Sequence, residues 1–229
     1  MVFRPNKHVN NNINDINLAS EIIQKSRIAK FLGIWVDDEL EWDKHIDYIS
    51  KKIASGSYVI NATKRILTSN NLKLLYFSLV HSHLSYGTLI WGSAVKYRIR
   101  KLEIKQKQCL RNICNAKYNI DTTSLFKKQS ILKLNDIINM QLGKLMYMSI
   151  HKLAPPPVCS IFTLNTELHT HNTRRRHDPH VETRSSNRIS RTFKHKAPKL
   201  WLSMPDEIRS AKSLPSFSHS FKRYSCNIY

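Results

Sequence analysis

At Trp42 the spacing of the apolar residues changes, and that change decides which class of fold is open to this chain. Upstream, apolar residues come in short runs between turn formers: Val2-Phe3 ahead of Pro5-Asn6 and Asn10-Asn11-Asn12, then Ile22-Ile23, then Ile28 to Val36. Runs of that length suit short strands. Phe31-Leu32-Gly33-Ile34-Trp35-Val36 is the strongest, a near-continuous run of the kind a buried strand gives. Gly33 inside it marks a bulge or a close backbone approach, and Asp37-Asp38 ends it in a turn. Downstream, Ile46, Ile49, Ile53 and Ile60 recur at spacings of 3, 4 and 7, the period of one helix face. The chain is expected to be mainly α, a helical bundle behind a short N-terminal β segment.

The later helices follow from the same period. Thr68-Ser69-Asn70 offers N-caps to a helix with Leu72, Leu75, Tyr76, Leu79 and His83 on one face, and Tyr86-Gly87 and Trp91-Gly92 punctuate its exit. A helix from Tyr97 to Cys114 comes next. Another, about Leu134 to Lys152, carries Leu134, Ile138, Leu142, Leu145 and Met148 and stops before Pro155-Pro156-Pro157. Residues 163–199 are polar and basic with little periodicity and read as an extended, partly disordered arm. Order returns at Leu200-Trp201 and in a short amphipathic helix near Phe217 to Tyr224. The expected division is a β segment over 1–41, a helical domain over 42–154, the arm over 155–199 and a short ordered segment over 200–229.

Charge narrows the function. Against 37 Lys and Arg stand 16 Asp and Glu, a net of +21. Residues 1–50 hold 6 basic and 8 acidic side chains, 51–154 hold 18 and 3, and 155–229 hold 13 and 5, so an anionic partner meets the middle and the end. Only 5 glycines occur, and no Walker loop follows Gly87 or Gly92. The longest apolar run, Leu74 to Phe77, is far short of the ~18 residues a membrane span needs. Met1-Val2-Phe3-Arg4-Pro5 lacks a signal peptide's apolar core, and Cys109, Cys114, Cys159 and Cys226 are scattered as reduced thiols are. These features predict an intracellular protein of nucleus or cytoplasm, not secreted and without a membrane partner.

The helix over Tyr97 to Cys114 is the most informative stretch. On a helical wheel Ile99, Leu102, Gln106, Cys109, Leu110 and Ile113 form a core stripe, while Arg100, Lys101, Lys107 and Arg111 fall outside it. A solvated face normally mixes signs, yet Glu103 is the only acid between Lys96 and Lys117. Phosphate contact through those four residues is the expectation, with Arg174-Arg175-Arg176 in the arm as a second basic element. Catalytic and metal readings fare worse. Neighbours on a strand point to opposite faces, so Asp37 and Asp38 would not chelate one ion without a special turn. His169, His171, His177 and His180 have no nearby cysteine and enclose three arginines that would repel a cation. No Gly-x-Ser-x-Gly elbow occurs. Trp35, Trp42, Trp91 and Trp201 read as core anchors. No catalytic residue, metal site or cofactor is expected.

An ordered series of motifs resembles the segment just past the catalytic core of non-LTR retrotransposon (LINE-type, jockey-like) reverse transcriptases. It begins with Lys30-Phe31-Leu32-Gly33-Ile34-x-x-Asp37 and Leu40-x-Trp42-x-x-His45-Ile46, then Leu75-Tyr76-x-x-Leu79 and Leu84-x-Tyr86-Gly87-x-x-x-Trp91-Gly92. It continues through Leu102-x-x-x-Gln106-Lys107-x-x-x-Arg111-x-Ile113, Leu125-Phe126 and Ile131-Leu132-Lys133-Leu134. Thr173-Arg174, Pro198-x-Leu200-Trp201-x-x-Met204-Pro205 and Leu214-x-x-Phe217 complete it, with Ala197 where the family commonly has glycine. Taken together these motifs run over essentially the whole chain.

The resemblance implies that Phe31, Leu32 and Gly33 form the strand closing the palm beside the primer-contacting turn. It makes the following helices the thumb that packs on a template–primer duplex. It also implies that the catalytic aspartates, the fingers and the nucleotide pocket belong to an upstream polymerase core, and that Met1 is internal to a longer protein. Only Asp15 and Glu21 precede Phe31 as acids, whereas two-metal nucleotidyl transfer needs paired carboxylates. Mg²⁺ would then belong to the complete parent alone, and the partners would be an RNA/DNA duplex or the element's RNA together with that core. Two further readings stand beside it: a non-functional remnant of a truncated element, or a host-adopted nucleic-acid or protein interaction module.

Overall fold

The structure, a computed structural model, describes residue 3 and residues 16–18, 21–168, 176, 178–182 and 189–229. Its N-terminal part is two antiparallel hairpins. β1 (Ile16–Leu18) pairs with β2 (Glu21–Ile23), and β3 (Ile28–Phe31) pairs with β4 (Ile34–Asp37). Val2 lies outside the described residues, and Phe3 belongs to no strand.

The apolar run from Phe31 to Val36 is therefore not one buried strand. Leu32 and Gly33 have φ of 45° and 81° and make a two-residue hairpin turn, whose twist needs positive φ at both positions. Phe31 and Leu32 stand 68% and 73% exposed at the tip, while Ile34 is buried. Gly33 serves this turn and not a bulge. Tyr86 secures the tip by donating its hydroxyl to the Leu32 carbonyl at 2.5 Å.

Asp37 turns the chain from sheet to helix. Its carboxylate accepts the backbone N–H groups of Glu41 and Trp42, both at 2.8 Å, just where the next helix begins. That helix, α1 (Asp43–Thr63), buries Ile46, Ile49, Ile53 and Ile60, as their spacing requires. α2 (Ser69–Tyr76) is capped by Thr68, whose hydroxyl accepts from the Asn71 N–H at 3.4 Å. A wider π-helical segment, Phe77–His81, continues it into α3 (Ser82–Ser85), and Gly87 turns the chain into α4 (Thr88–Trp91).

The buried residues from α2 through the π-helical segment to α3 are Leu72, Tyr76, Val80 and Leu84, each four from the last. A spacing of four drifts by about 40° per step on an α-helix, and the wider turn absorbs part of that drift. Leu79 and His83, expected on the core face, are left half-buried. Gly87, at φ 63°, lies so close to β4 that a Cβ would come within 2.5 Å of Ile34 Cδ1.

α5 (Lys96–Ile113) runs beside α1 in the same direction: Arg98 meets Glu41 and Asp43, Lys101 meets Asp47, and Asn112 meets Ser57. Neighbouring parallel helices need a return path, which α2 to α4 supply. α6 (Thr123–Gln129) leads to α7 (Leu134–Ile150), buried on several sides. Two short turns follow, α8 (Pro156–Cys159) and α9 (Asn165–Leu168). α10 (Phe193–Ser203), α11 (Asp206–Arg209) and α12 (Leu214–Ile228) then close the molecule.

α10 and α12 pack on α7. Trp201 stacks on Phe217 at 5.9 Å, Phe217 meets Tyr147 at 5.4 Å, and the Tyr147 hydroxyl donates to the Ala211 carbonyl at 3.0 Å. α10 thus starts within the stretch read as an arm, with His195 and Ala197 buried. α12 is longer than its apolar pattern suggested because Ser213 caps it and Pro215 sits in its first turn. Among the described residues no helix is long and apolar enough to cross a membrane.

His45 gives this core a pH dependence. It is 2% exposed, lies against Tyr48 and Trp91, and its Nδ1 accepts the Trp35 N–H at 3.4 Å. Burial lowers its pKa from the ordinary 6.5 to about 4. The unfolded chain therefore takes up a proton that the folded chain refuses, so this contribution is complete above pH 6.5 and is lost as pH falls towards 4. It is on the order of 3 kcal/mol. Thermal melts between about pH 7.5 and pH 4 should show this loss, and His45→Gln should flatten it; a variant profile as steep as the parent's would remove His45 as the cause.

Candidate nucleic-acid interface

The basic helix is built as its pattern dictates. Ile99, Leu102, Gln106, Cys109, Leu110 and Ile113 are all buried, which fixes the rotation of α5 and turns the other side outward. Arg100, Lys101 and Lys107 are exposed and Arg111 is half-buried. Arg100, Ile104, Lys107 and Arg111 lie within about 60° of one another and form a ridge about 17 Å long. Lys101 stands to its α1 side, 3.9 Å from Asp47. Arg111 reaches past the helix end, donating to the Ile120 carbonyl at 3.2 Å and lying over the Tyr118 ring at 5.4 Å. Arg100 and Lys107 make no ion pair among the described residues. The one acid of the helix, Glu103, is occupied elsewhere, accepting from Asn135 Nδ2 at 2.7 Å.

Arg174 and Arg175 lie outside the described residues. Arg176 is exposed, and its carbonyl accepts the Thr166 N–H at 2.8 Å, at α9. Phe31, Leu32 and Gly33 form the exposed hairpin tip held by Tyr86. Of the four histidines considered for zinc, only His180 is described. Trp42, Trp91 and Trp201 are core anchors, whereas Trp35 is half-buried beneath Lys44, whose Nζ lies 3.9 Å from the ring centre.

The acidic run lines a cleft of about 870 Å³ between the second hairpin and α1. Its carboxylates are engaged: Asp37 by two backbone N–H groups, Glu41 and Asp43 by Arg98, Asp47 by Lys101. Among the described residues no three His, Cys, Asp or Glu side chains are grouped to hold a metal ion.

The sequence left Arg98 unassigned, and it placed Gln106 in the core stripe without its partners. Arg98 is buried on the α1 side of α5, where Nη2 donates to Asp43 at 2.6 Å and Nη1 to the Glu41 carbonyl at 2.8 Å. Gln106, 1% exposed, donates to the Tyr76 hydroxyl at 2.8 Å and the Leu132 carbonyl at 2.9 Å, and accepts the Leu134 N–H at 2.9 Å. It ties α2, α5 and the start of α7 together.

The chain is thus helical and strongly basic, with an outward cationic ridge on α5, and its sequence relatives are polymerases. The chain is 27% identical over 125 residues to the RNA-directed DNA polymerase from mobile element jockey of Drosophila melanogaster. It is 25% identical over 121 residues to the probable RNA-directed DNA polymerase from transposon X-element, and 23% over 128 residues to that from transposon BS, both of the same species. These matches cover 53%, 51% and 54% of the chain, about half rather than all of it, and 14%, 13% and 14% of the relatives. No family model and no solved structure matches. The homologues of this chain are thus jockey-type retrotransposon polymerases, and about half of it matches a small region of them.

Proposed function

We propose that the chain is the template–primer-contacting region of a retrotransposon RNA-directed DNA polymerase, with nucleotidyl transfer carried by the parent's remaining core. The α5 ridge is the observation that supports this most directly: a one-signed face on a rigid, well-buried helix, in a segment that is itself strongly basic, in a homologue of polymerases. In this reading residues 42–154 act as a thumb. The Phe31–Leu32–Gly33 tip faces the primer and the missing core, and Arg174 to Arg176 add a second backbone contact. Nucleic-acid backbones favour such a face because each neutralised phosphate releases condensed counterions. Mg²⁺ serves the complete parent, a reading supported by the engagement of Asp37, Glu41 and Asp43 in holding the fold.

Binding of the full chain to an RNA–DNA hybrid, measured across a salt series, tests the reading. The expected slope of log K against log salt is about −4 or steeper, reflecting four or more phosphate contacts. Affinity that does not respond to salt would overturn it. The same preparation should not extend the primer with Mg²⁺ or Mn²⁺; template-dependent incorporation would place catalysis in this chain.

A further inference from the structure

The α5 ridge carries more than charge. Tyr97 at its start and Tyr118 just beyond its end are 62% and 90% exposed, and Ile104 between them is 57% exposed. A ridge that only neutralised phosphates would gain nothing from such groups. Each tyrosine also has an arginine at its ring: the Arg98 guanidinium carbon lies 5.2 Å from the Tyr97 centroid, and that of Arg111 lies 5.4 Å from the Tyr118 centroid. Neither arginine is loose. Arg98 is fixed by Glu41 and Asp43, and Arg111 by the Ile120 carbonyl. A cation at a ring restrains it and leaves aromatic surface open to a further planar group.

We infer that Tyr97 and Tyr118 are stacking platforms for unpaired bases, so that α5 takes a single strand with its backbone along Arg100 and Lys107 and its bases on the two rings. This deepens, and rests on, the nucleic-acid reading above. The dimensions agree. From Tyr97 to Arg111 the helix rises about 21 Å, the length of about six stacked nucleotides at ~3.4 Å each. That lies within the ~4–16 nucleotides that single-strand sites occupy. A duplex hides its base faces and could use only the basic residues. A single strand uses both sets, without sequence readout, because every base has a face to stack.

The experiment compares a labelled RNA strand of about ten nucleotides with its blunt duplex, using the full chain and the variants Tyr97→Ala/Tyr118→Ala and Tyr97→Phe/Tyr118→Phe. The alanine pair should weaken single-strand binding about 10-fold or more per ring while leaving duplex affinity within about 2-fold. The phenylalanine pair should bind like the parent, since stacking needs the ring and not the hydroxyl. Equal losses on both ligands, or no loss on the single strand, would overturn the platforms and leave the backbone reading intact. Salt-independent binding of both ligands by the parent chain would overturn the two together.

Discussion

Gln106→Leu should cost the fold about 3 kcal/mol or more, because it orphans three buried groups that one amide now serves, each worth ~1–3 kcal/mol when left unpaired. The three are the Tyr76 hydroxyl, the Leu132 carbonyl and the Leu134 N–H. Tyr76 is fully buried, so water does not replace the lost partner, and burial already pushes its phenol pKa upward. A loss of that size is a large share of the ~5–15 kcal/mol that holds a typical domain together. Chemical denaturation of both proteins measures it. A second substitution identifies the cause. Tyr76→Phe should cost the parent about 1 kcal/mol but should be neutral or stabilising beside Gln106→Leu, where it removes an orphan. A Gln106→Leu protein within 1 kcal/mol of the parent would show that the network contributes little.

Replacing Arg100, Lys101, Lys107 and Arg111 with alanine should flatten the salt dependence of hybrid binding by about 3 to 4 units of slope, at ~0.9 per phosphate contact. The four are not equivalent. Lys101 is partly balanced by Asp47, and Arg111 also holds the loop through Ile120 and Tyr118. Arg100→Ala/Lys107→Ala alone should therefore account for about 2 units and spare the fold, since neither side chain has an ion pair among the described residues to lose. Affinity should fall alike for every sequence, because phosphates carry no base identity. The contrasting variant is Arg174/Arg175/Arg176→Ala in the full chain. Cutting the chain before Pro155 would serve poorly, since it removes the α10 and α12 cover from α7. If the arm variant loses the slope while the α5 variant keeps it, the binding element is the arm.

How much of this could be read from the sequence depended on whether one face alone was buried. α1 and α5 each bury a single stripe, so Ile46 to Ile60 and Ile99 to Ile113 gave their helices directly. The run from Phe31 to Val36 misled because Leu32, an apolar residue without turn propensity, occupies the first left-handed position of a hairpin. Residue type carries no sign of the π-helical turn at Phe77–His81, which shows only as a spacing of four that an ordinary helix would not hold. Arg98 was legible: on the α5 wheel it falls within about 20° of Cys109, at the edge of the core stripe, where a cation requires partners. Its partners, Glu41 and Asp43, stand more than fifty residues away, and pairing at that separation is a property of the fold. The outward turn of Arg100 and Lys107 followed from periodicity, while the exposure of Tyr97 and Tyr118 did not, since tyrosine suits core and surface alike.

The cover of α7 by α10 and α12 also has a meaning in time. A chain made from its N-terminus completes α7 at Ile150, but the last of the helices that shield it ends at Ile228. At ~5–20 residues per second, about 4 to 16 s of synthesis separate the two. Through that interval the side of α7 that later meets Trp201 and Phe217, with Tyr147 and Met146 on the same helix, has no intramolecular lid. Transiently open apolar surface of this kind is where incomplete chains associate, so the C-terminal helices protect the molecule during its making as well as after it.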